Sequence, residues 1–128
     1  MSKLLAYKKT VDKTPIEKIH VQTNQPFYTP GDTLWFKAYI IDANLNRPSA
    51  ASHTLMLELI GTDGTLIKQA KTKVLVGLSD GYLNLPDSLT GGNYILRAYT
   101  NTMNRYGEEF YYKKSLMVLV SINSAISV

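Results

Sequence analysis

Two strands joined by a turn are predicted by the stretch EKIHVQTNQPFYTPGDTLWFKAYII, which spans residues 17–41. Near its start, Ile19 and Val21 alternate with polar residues, which is the pattern of a half-buried strand. The turn is predicted at Pro30 and Gly31, because proline presets φ and glycine accepts the positive φ of a type II turn. A strand, a turn and a second strand in so short a stretch favour an all-β fold.

The second strand of this pair, residues 33–41, has the clearest twofold alternation in the chain. Successive side chains of a strand point to opposite faces, so one face of this strand is predicted to enter the core. That apolar face consists of Leu34, Phe36, Ala38 and Ile40. The opposite face is predicted to point outward and consists of Trp35, Lys37, Tyr39 and Ile41.

The remaining sequence repeats short alternating segments separated by Gly, Pro, Asn and Asp, with no long helical period between them. Val, Ile, Thr and the aromatic residues, which suit a pleated sheet, make up 41 of the 128 residues. A short break between two of these strands is predicted between Gly77 and Gly81. About seven short strands indicate an antiparallel β-sandwich rather than an α/β fold. The further strands are predicted over residues 54–60, 65–76, 81–85, 94–100 and 109–122.

The composition excludes several classes of protein. The chain has 45% hydrophobic and 19% charged residues, a formal net charge of +4, and no cysteine. This is too apolar for a disordered chain, and the lack of cysteine excludes disulfides, Cys-ligated metal sites and a cysteine nucleophile. No apolar run approaches the roughly 18 residues of a membrane span. The lysines are spread along the chain without a nucleic-acid-binding motif, so no nucleic-acid partner is predicted.

One domain is predicted, flanked by two short segments. Residues 1–14 are predicted to form an N-terminal extension, either a short helix or disordered, since Pro15 would end any helix. Residues 15–122 are predicted to form the β-sandwich, and residues 123–128 a C-terminal tail or linker. The start of the chain is basic but lacks the apolar stretch of a signal peptide. We therefore expect either a protein that is not exported or the mature part of one that is.

Two motifs are similar to those of the MG2 macroglobulin domain. Residues 17–39 combine a strand, the pattern Pro-x-Tyr-x-x-Gly-Asp and an apolar strand, which resembles the opening of that domain. Residues 85–100, LPDSLTGGNYILRAYT, resemble its later hallmark. The variants WFKAY and LRAYT look most like MG2-type domains of large exported proteins in Bacteroidetes. The resemblance covers residues 15–122.

This resemblance implies a seven-stranded, Ig-like and fibronectin-III-like β-sandwich with no catalytic residues. No metal or cofactor is predicted, because the residues show no metal-ligand spacing or calcium-loop motif. The resemblance also implies a structural and protein-interaction module of a larger exported polypeptide, periplasmic or associated with the outer membrane. The implied partners are neighbouring domains of the same polypeptide or another envelope protein, without insertion into the membrane. The thioester of alpha-2-macroglobulins requires a cysteine, which this chain lacks, so only the scaffold carries over.

Several turn residues are predicted to have structural roles. Asp32 follows the Pro30-Gly31 turn, where an aspartate caps the turn through its side chain. Tyr94 begins a strand after Gly92, a position that resembles a tyrosine corner, in which the hydroxyl bonds back to the main chain. No helix N-terminus follows Gly92, so a phosphate-binding loop is not predicted.

The outward residues Trp35, Lys37 and Tyr39 form the candidate interaction site. The first interpretation is that loops or the tyrosines of the last strand, Tyr111 and Tyr112, cover them. The second is that they anchor a neighbouring domain, since Trp and Tyr are enriched at binding hot spots. The third, ranked below both, is a stacking platform for a sugar ring, which gives the alternative function of a glycan-binding module.

A small hydrolase is the remaining hypothesis. The two histidines of the chain, His20 and His53, have no carboxylate at ligand spacing, so neither a metal site nor a Ser–His pair is indicated. His20 alternates with the apolar Ile19 and Val21 and is predicted to face solvent. The hydrolase hypothesis requires histidine, aspartate and serine side chains clustered in one cleft.

Overall fold

A computed structural model describes residues 16–120 of the chain. The predictions for residues 1–14 and 123–128 lie outside the described residues. Two short 3-10 helices are present, Met103–Arg105 and Glu108–Phe110. None of the helices within residues 16–120 is long and apolar enough to span a membrane. The strands are β1 (Glu17–Thr23), β2 (Phe27–Tyr28), β3 (Thr33–Asp42), β4 (Arg47–Pro48), β5 (Thr54–Ile60), β6 (Leu66–Lys73), β7 (Leu78–Asn84), β8 (Gly92–Thr100) and β9 (Tyr112–Val118).

The long strands are those that the alternation predicts. Seven of the strands have seven residues or more, and each overlaps one of the predicted segments. The prediction of an all-β, seven-stranded Ig-like sandwich is therefore confirmed for the long strands. The strands β2 and β4 have two residues each and were not predicted, because two residues are too few to show a period.

The strands form two sheets. In the four-stranded sheet, the central strand β3 pairs with β1 on one side and with β4 and β7 on the other. The five-stranded sheet has the order β2-β9-β8-β5-β6. All pairings are antiparallel except the short contact between β2 and β9, which is parallel. The edge strand β6 carries Lys68, Lys71 and Lys73, which discourage pairing with another chain.

The core lies between the two sheets. The predicted inward face of β3 is buried there, and Leu34, Ala38 and Ile40 have no exposed surface. Facing leucines of β5 and β8 are equally buried, so both sheets contribute to one cluster. Because β3 is central and its inner face is fixed in this core, its other face must point away from the sandwich. The fully buried members from the other sheet include Leu55, Leu57, Leu59 and Leu96.

The break predicted between Gly77 and Gly81 is wrong. Strand β7 starts one residue after Gly77 and continues through Gly81. A Cβ at position 81 would lie 2.8 Å from Thr72 Cγ2 and 3.1 Å from Phe36 Cζ, so this glycine permits close packing rather than ending a strand. The turn lies before β7, where Val76 and Gly77 have φ values of 49° and 74°.

The last predicted strand is longer than the observed one. Residues 108–110 form a 3-10 helix, and β9 covers Tyr112–Val118 rather than starting at residue 109. Gly107, with φ of 103°, changes the direction of the chain just before this helix. The segment between β8 and β9 can therefore turn back over the sheet instead of extending it.

Candidate interaction face

The predicted outward residues of β3 lie on the outer surface of the four-stranded sheet. Trp35 is 55% exposed, Lys37 is exposed and Tyr39 is partly buried. Their orientation follows from the alternation of β3, whose inner face lies in the core. We call this surface the open face; it consists of Lys18, His20, Gln22, Trp35, Lys37, Tyr39, Ile41, Leu78, Asp80 and Tyr82.

Cross-strand register gathers the apolar residues of the open face into two groups. Trp35 lies opposite Tyr82 of β7, and their ring centroids are 5.1 Å apart. Tyr39 lies between His20 of β1 and Leu78 of β7, with its ring centroid 6.2 Å from that of His20. Tyr82 and Leu78 are 50% and 47% exposed. The face therefore presents apolar surface at two positions along the central strand.

The Tyr39 end of the open face forms a groove of about 700 Å³. Strand β4 and the connection before β7 contribute its walls, through Pro48 and Val76 among others. Val76 is 77% exposed, and Ile41 of β3 also lines the groove. Contiguous exposed apolar surface of this kind marks sites of protein or ligand binding.

A second groove, of about 530 Å³, lies beside Trp35. Its polar lining includes Gln22, Lys37 and Asp80. Lys37 and Asp80 are directly opposite in register, yet no ion pair joins them among the described residues. The Lys37 Nζ atom instead lies 6.0 Å from the ring centroid of Tyr39. Both charged groups are thus available to a binding partner.

The interpretation that Tyr111 and Tyr112 cover Trp35 is wrong. Tyr111 stacks on Tyr99 of the five-stranded sheet. Tyr112 packs against the core, with its hydroxyl 3.5 Å from the Val21 carbonyl oxygen. Within residues 16–120 the large neighbour of the Trp35 ring is Tyr82, which is itself half exposed.

The outer surface of the five-stranded sheet differs, because the chain covers its centre. Glu58 is buried and accepts hydrogen bonds from Arg97 Nη2 (2.6 Å), Arg97 Nε (2.9 Å) and the Tyr99 hydroxyl (3.1 Å). Tyr111 stacks on Tyr99 with centroids 4.2 Å apart, and Arg97 Cζ lies 5.7 Å from the Tyr111 centroid. Glu108 forms a further ion pair with Arg97 at 3.3 Å. We call these five residues the covered cluster.

The environment of the covered cluster alters the acidity of its tyrosines. Burial raises the pKa of Tyr99, and the hydrogen bond to Glu58 and its negative charge raise that pKa further. Burial also raises the pKa of Tyr111, although the nearby Arg97 guanidinium acts in the opposite direction. Both hydroxyls therefore hold their protons more tightly in the folded chain than in the unfolded one.

The turn Thr29-Pro30-Gly31-Asp32 links the first two long strands. The Asp32 amide donates to the Thr29 carbonyl (3.0 Å), and Gly31 has φ of 87°, which is type II geometry. The Asp32 carboxylate accepts a hydrogen bond from the Thr29 amide at 2.8 Å, and this bond lowers the pKa of Asp32. The Gly31 amide donates to the Pro86 carbonyl (3.2 Å), so the turn is also tied to the start of the second motif.

Tyr94 lies where the second motif enters β8. Its side chain is 7% exposed, and its hydroxyl donates to the Thr90 carbonyl oxygen at 2.7 Å. This bond to the main chain four residues upstream is the contact that characterises a tyrosine corner. Gly92, with φ of 142°, allows the chain to turn between the two residues.

A buried carboxylate on the inward side of β1 was not predicted from the sequence. Glu17 is 3% exposed and accepts hydrogen bonds from the hydroxyls of Ser52 and Thr100, both at 2.6 Å, and from Ser49. Its burial could have been predicted from alternation, because Glu17 lies two residues before Ile19 and four before Val21, which are the inward apolar residues of β1. The network joins the start of β1 to the connection between β4 and β5, which begins directly after the groove-lining residue Pro48.

The two histidines do not form a site together. His20 lies on β1 in the four-stranded sheet, whereas His53 precedes β5 in the five-stranded sheet, and both are exposed. This placement contradicts the single cleft that the hydrolase hypothesis requires. Among residues 16–120, no group of three or more His, Cys, Asp or Glu side chains is arranged to hold a metal ion.

Solved bacterial alpha-2-macroglobulins contain a similar fold. The native form from E. coli has a TM-score of 0.63 and 19% identity, over 80% of this chain and 6% of that one. A variant from Salmonella has a TM-score of 0.64 and 18% identity, over 83% of this chain and 6% of that one. The trypsin-activated E. coli protein has a TM-score of 0.63 and 20% identity, over 82% of this chain and 7% of that one.

At these identities the likeness establishes the fold, that of an Ig-like macroglobulin domain. The chain spans about 6% of the length of the first two structures and so corresponds to one small part of each. None of the curated proteins matches the chain. The family model described as MG2 domain matches residues 18–111, which include the open face, the second motif and all but the first residue of the first motif. The chain therefore belongs to the MG2 domain family.

Proposed function

We propose that this chain is a non-catalytic interaction module of a larger, exported, macroglobulin-like protein. Its open face docks a neighbouring domain of the same polypeptide or another envelope protein. The observation that carries the proposal is the exposure of Trp35 and Tyr82 together with the adjoining apolar groove. The periplasm, or the periplasmic side of the outer membrane, is the proposed location because of the likeness to bacterial alpha-2-macroglobulins.

The physical case for docking rests on what the open face exposes. A Trp and a Tyr in contact, each about half exposed, leave a large apolar area in water. Burying such area stabilises a complex by about 25 cal/mol per Å² before the costs of association are counted. Trp and Tyr are also the residues that dominate measured binding energies at protein interfaces. The groove beside Tyr39 offers a recess that a partner side chain can fill.

The absence of catalysis is proposed from the arrangement of side chains. The described residues separate the two histidines between sheets, and the buried Glu17 and Glu58 are each held by hydrogen bonds rather than facing a cleft. Zero cysteines leave no thioester or thiol nucleophile in the chain. A role in holding partners fits these features better than a reaction does.

The size and location of the native polypeptide test the module proposal. An antibody against this domain is used on fractionated cells of the source organism. A band much larger than 14.3 kDa in the envelope fraction is the expected result. A band at 14.3 kDa in the cytosol contradicts the proposal and makes the open face a binding site of an autonomous protein.

Glycan binding is the second candidate function, favoured by the groove beside Trp35. A sugar ring can stack on the exposed indole while Gln22, Lys37 and Asp80, which line that groove, bind its hydroxyls. Because Trp35 is the one tryptophan of the chain, its fluorescence reports the groove directly. A change in that fluorescence with members of a glycan panel supports this candidate, and an unchanged signal across the panel contradicts it.

A further inference from the structure

The charges around the open face are unbalanced. Lys18, Lys37 and Arg47 are exposed at or beside it, whereas Asp80 is its single carboxylate. Arg47 lines the groove next to Tyr39, and Lys18 lies opposite Ile41 in register. Lys18 and Arg47 therefore lie on either side of β3 at its Ile41 end, and Lys37 lies between the two apolar groups of the face.

These cations have no ion-pair partner in the described part of the chain. Two cations of the other sheet are paired, since Arg97 pairs with Glu58 and Glu108, and Lys113 lies 3.6 Å from Glu108. The remaining lysines of that sheet have no ion pair among the described residues either, but they do not adjoin an exposed apolar groove; they are Lys68, Lys71, Lys73 and Lys114. On the open face even the cross-strand neighbours Lys37 and Asp80 remain apart. The charge of this surface is thus left for an external partner.

We propose that the partner presents apolar side chains interspersed with Asp or Glu side chains, which meet Lys18, Lys37 and Arg47. This inference rests on the proposed docking function and specifies the chemistry of its partner. Charges at the rim of an interface mainly set the association rate, the salt dependence and the choice of partner. The apolar groups of the face supply the affinity, and the cations between and beside them select acidic surfaces.

A second copy of this chain is a poor occupant of the same face. In a twofold dimer the same surface patch meets itself, so the three cations of one copy would approach those of the other. Like charges brought together at an interface disfavour association. The single Asp80 on each copy cannot pair with three cations. A different, acidic protein surface fits the observed charges.

Selection from a random peptide library tests the inference and does not require the partner to be identified. Random 16-residue peptides displayed on phage are selected against the immobilised chain, and dissociation constants are measured for the selected peptides. We expect sequences in which Asp or Glu flanks aliphatic or aromatic residues. The Lys18→Glu/Arg47→Glu variant should weaken their binding by at least about tenfold. The matched control Lys71→Glu/Lys73→Glu, which makes the same charge change on edge strand β6, should leave binding unchanged.

Three outcomes overturn the inference. One is that no peptide binds above background, and another is that the selected peptides carry no excess of acidic residues. The third is that the Lys18→Glu/Arg47→Glu variant binds as tightly as the unchanged chain.

A further variant, Tyr39→Ala/Leu78→Ala, separates this inference from the proposed function. If it loses peptide binding while the charge-reversed variant does not, the open face docks partners but does not select acidic ones. If neither variant loses binding, the proposed docking function fails as well. Thermal unfolding of each variant shows whether a loss of binding reflects a loss of folding.

Discussion

The open face and the covered cluster occupy the two outer surfaces of the same sandwich. The described chain covers only the second of these surfaces with its own side chains. In the covered cluster Arg97 is paired with two carboxylates, and Tyr111 lies over Tyr99. On the open face Trp35 is 55% exposed and Lys37 has no ion pair within the described residues.

The difference lies in the connections between strands. The segment between β8 and β9 has two 3-10 helices and brings Glu108 and Tyr111 back over the five-stranded sheet. The connections around the four-stranded sheet instead form the walls of a groove. The two outer surfaces therefore differ: the chain covers the aromatic residues of the five-stranded sheet and leaves those of the four-stranded sheet exposed. Under the proposed function, a neighbouring domain or another protein covers the surface that no segment of the described chain covers.

The largest expected effect comes from breaking the covered cluster at its buried carboxylate. Glu58→Ala leaves the Arg97 charge without its main partner and removes three hydrogen bonds. The free energy of unfolding should fall by about 3 kcal/mol, because a largely buried ion pair loses one member. Urea denaturation measures this change. The matched variant on the open face, Asp80→Ala, should change stability by less than about 0.5 kcal/mol, and equal losses would contradict the comparison.

A smaller effect is expected from uncovering the sheet. Tyr111→Ala removes the stack on Tyr99, the contact with Arg97 and the hydrogen bond that its hydroxyl donates to Asn104 (2.6 Å). We expect a loss of about 2 kcal/mol, from an aromatic pair and a cation–π contact together. Tyr82→Ala removes the half-exposed partner of Trp35 and should cost about 1 kcal/mol. Urea denaturation measures both losses. A larger loss for Tyr82→Ala would contradict the comparison, because it would show that contacts within the chain already stabilise the open face.

The smallest effect is a pH dependence above neutrality. Because burial raises the pKa of Tyr99 and Tyr111, the folded chain binds these protons more tightly than the unfolded one. Their stabilising contribution is complete below the unfolded pKa of about 10 and is lost as pH rises through the folded pKa values. Unfolding free energies measured from about pH 9 to about pH 11 should therefore decline.

The control for this prediction is the Tyr99→Phe/Tyr111→Phe variant, whose decline should be shallower. A residual slope should remain, since burial also raises the pKa of Tyr28 and Tyr112. An identical slope in the variant and the unchanged chain would show that the covered cluster does not shield its tyrosines.

Much of the fold could be predicted because alternation survives in each long strand. The inward face of β3 and the outward position of Trp35 both follow from a period of two. The type II turn could be predicted because Pro30 and Gly31 have distinctive backbone preferences. The break predicted between Gly77 and Gly81 was wrong, because the sequence does not distinguish a glycine that permits close packing from one that ends a strand.

The cover of each outer surface could not be predicted, because it depends on contacts between distant segments. Glu58 alternates with the core leucines of β5, which favours a solvent-facing position, but Tyr99 and Arg97 bury it from a neighbouring strand. The pairing of Tyr111 with Tyr99, rather than with Trp35, likewise depends on where the β8–β9 connection turns. Alternation shows which way a side chain points but not what lies above it.

Site-specific photocrosslinking tests most directly whether the open face is the docking surface. The photoreactive residue p-benzoylphenylalanine replaces Tyr82 on the open face or, as the matched control, Gln69 on the outer surface of the five-stranded sheet. Each variant is expressed in the source cells within the polypeptide that carries this domain, and crosslinked peptides are identified by mass spectrometry. If the open face docks a partner, we expect crosslinks to another domain or protein from position 82 and few from position 69. Crosslinks of equal yield from both positions, or none from position 82, would contradict the proposed docking.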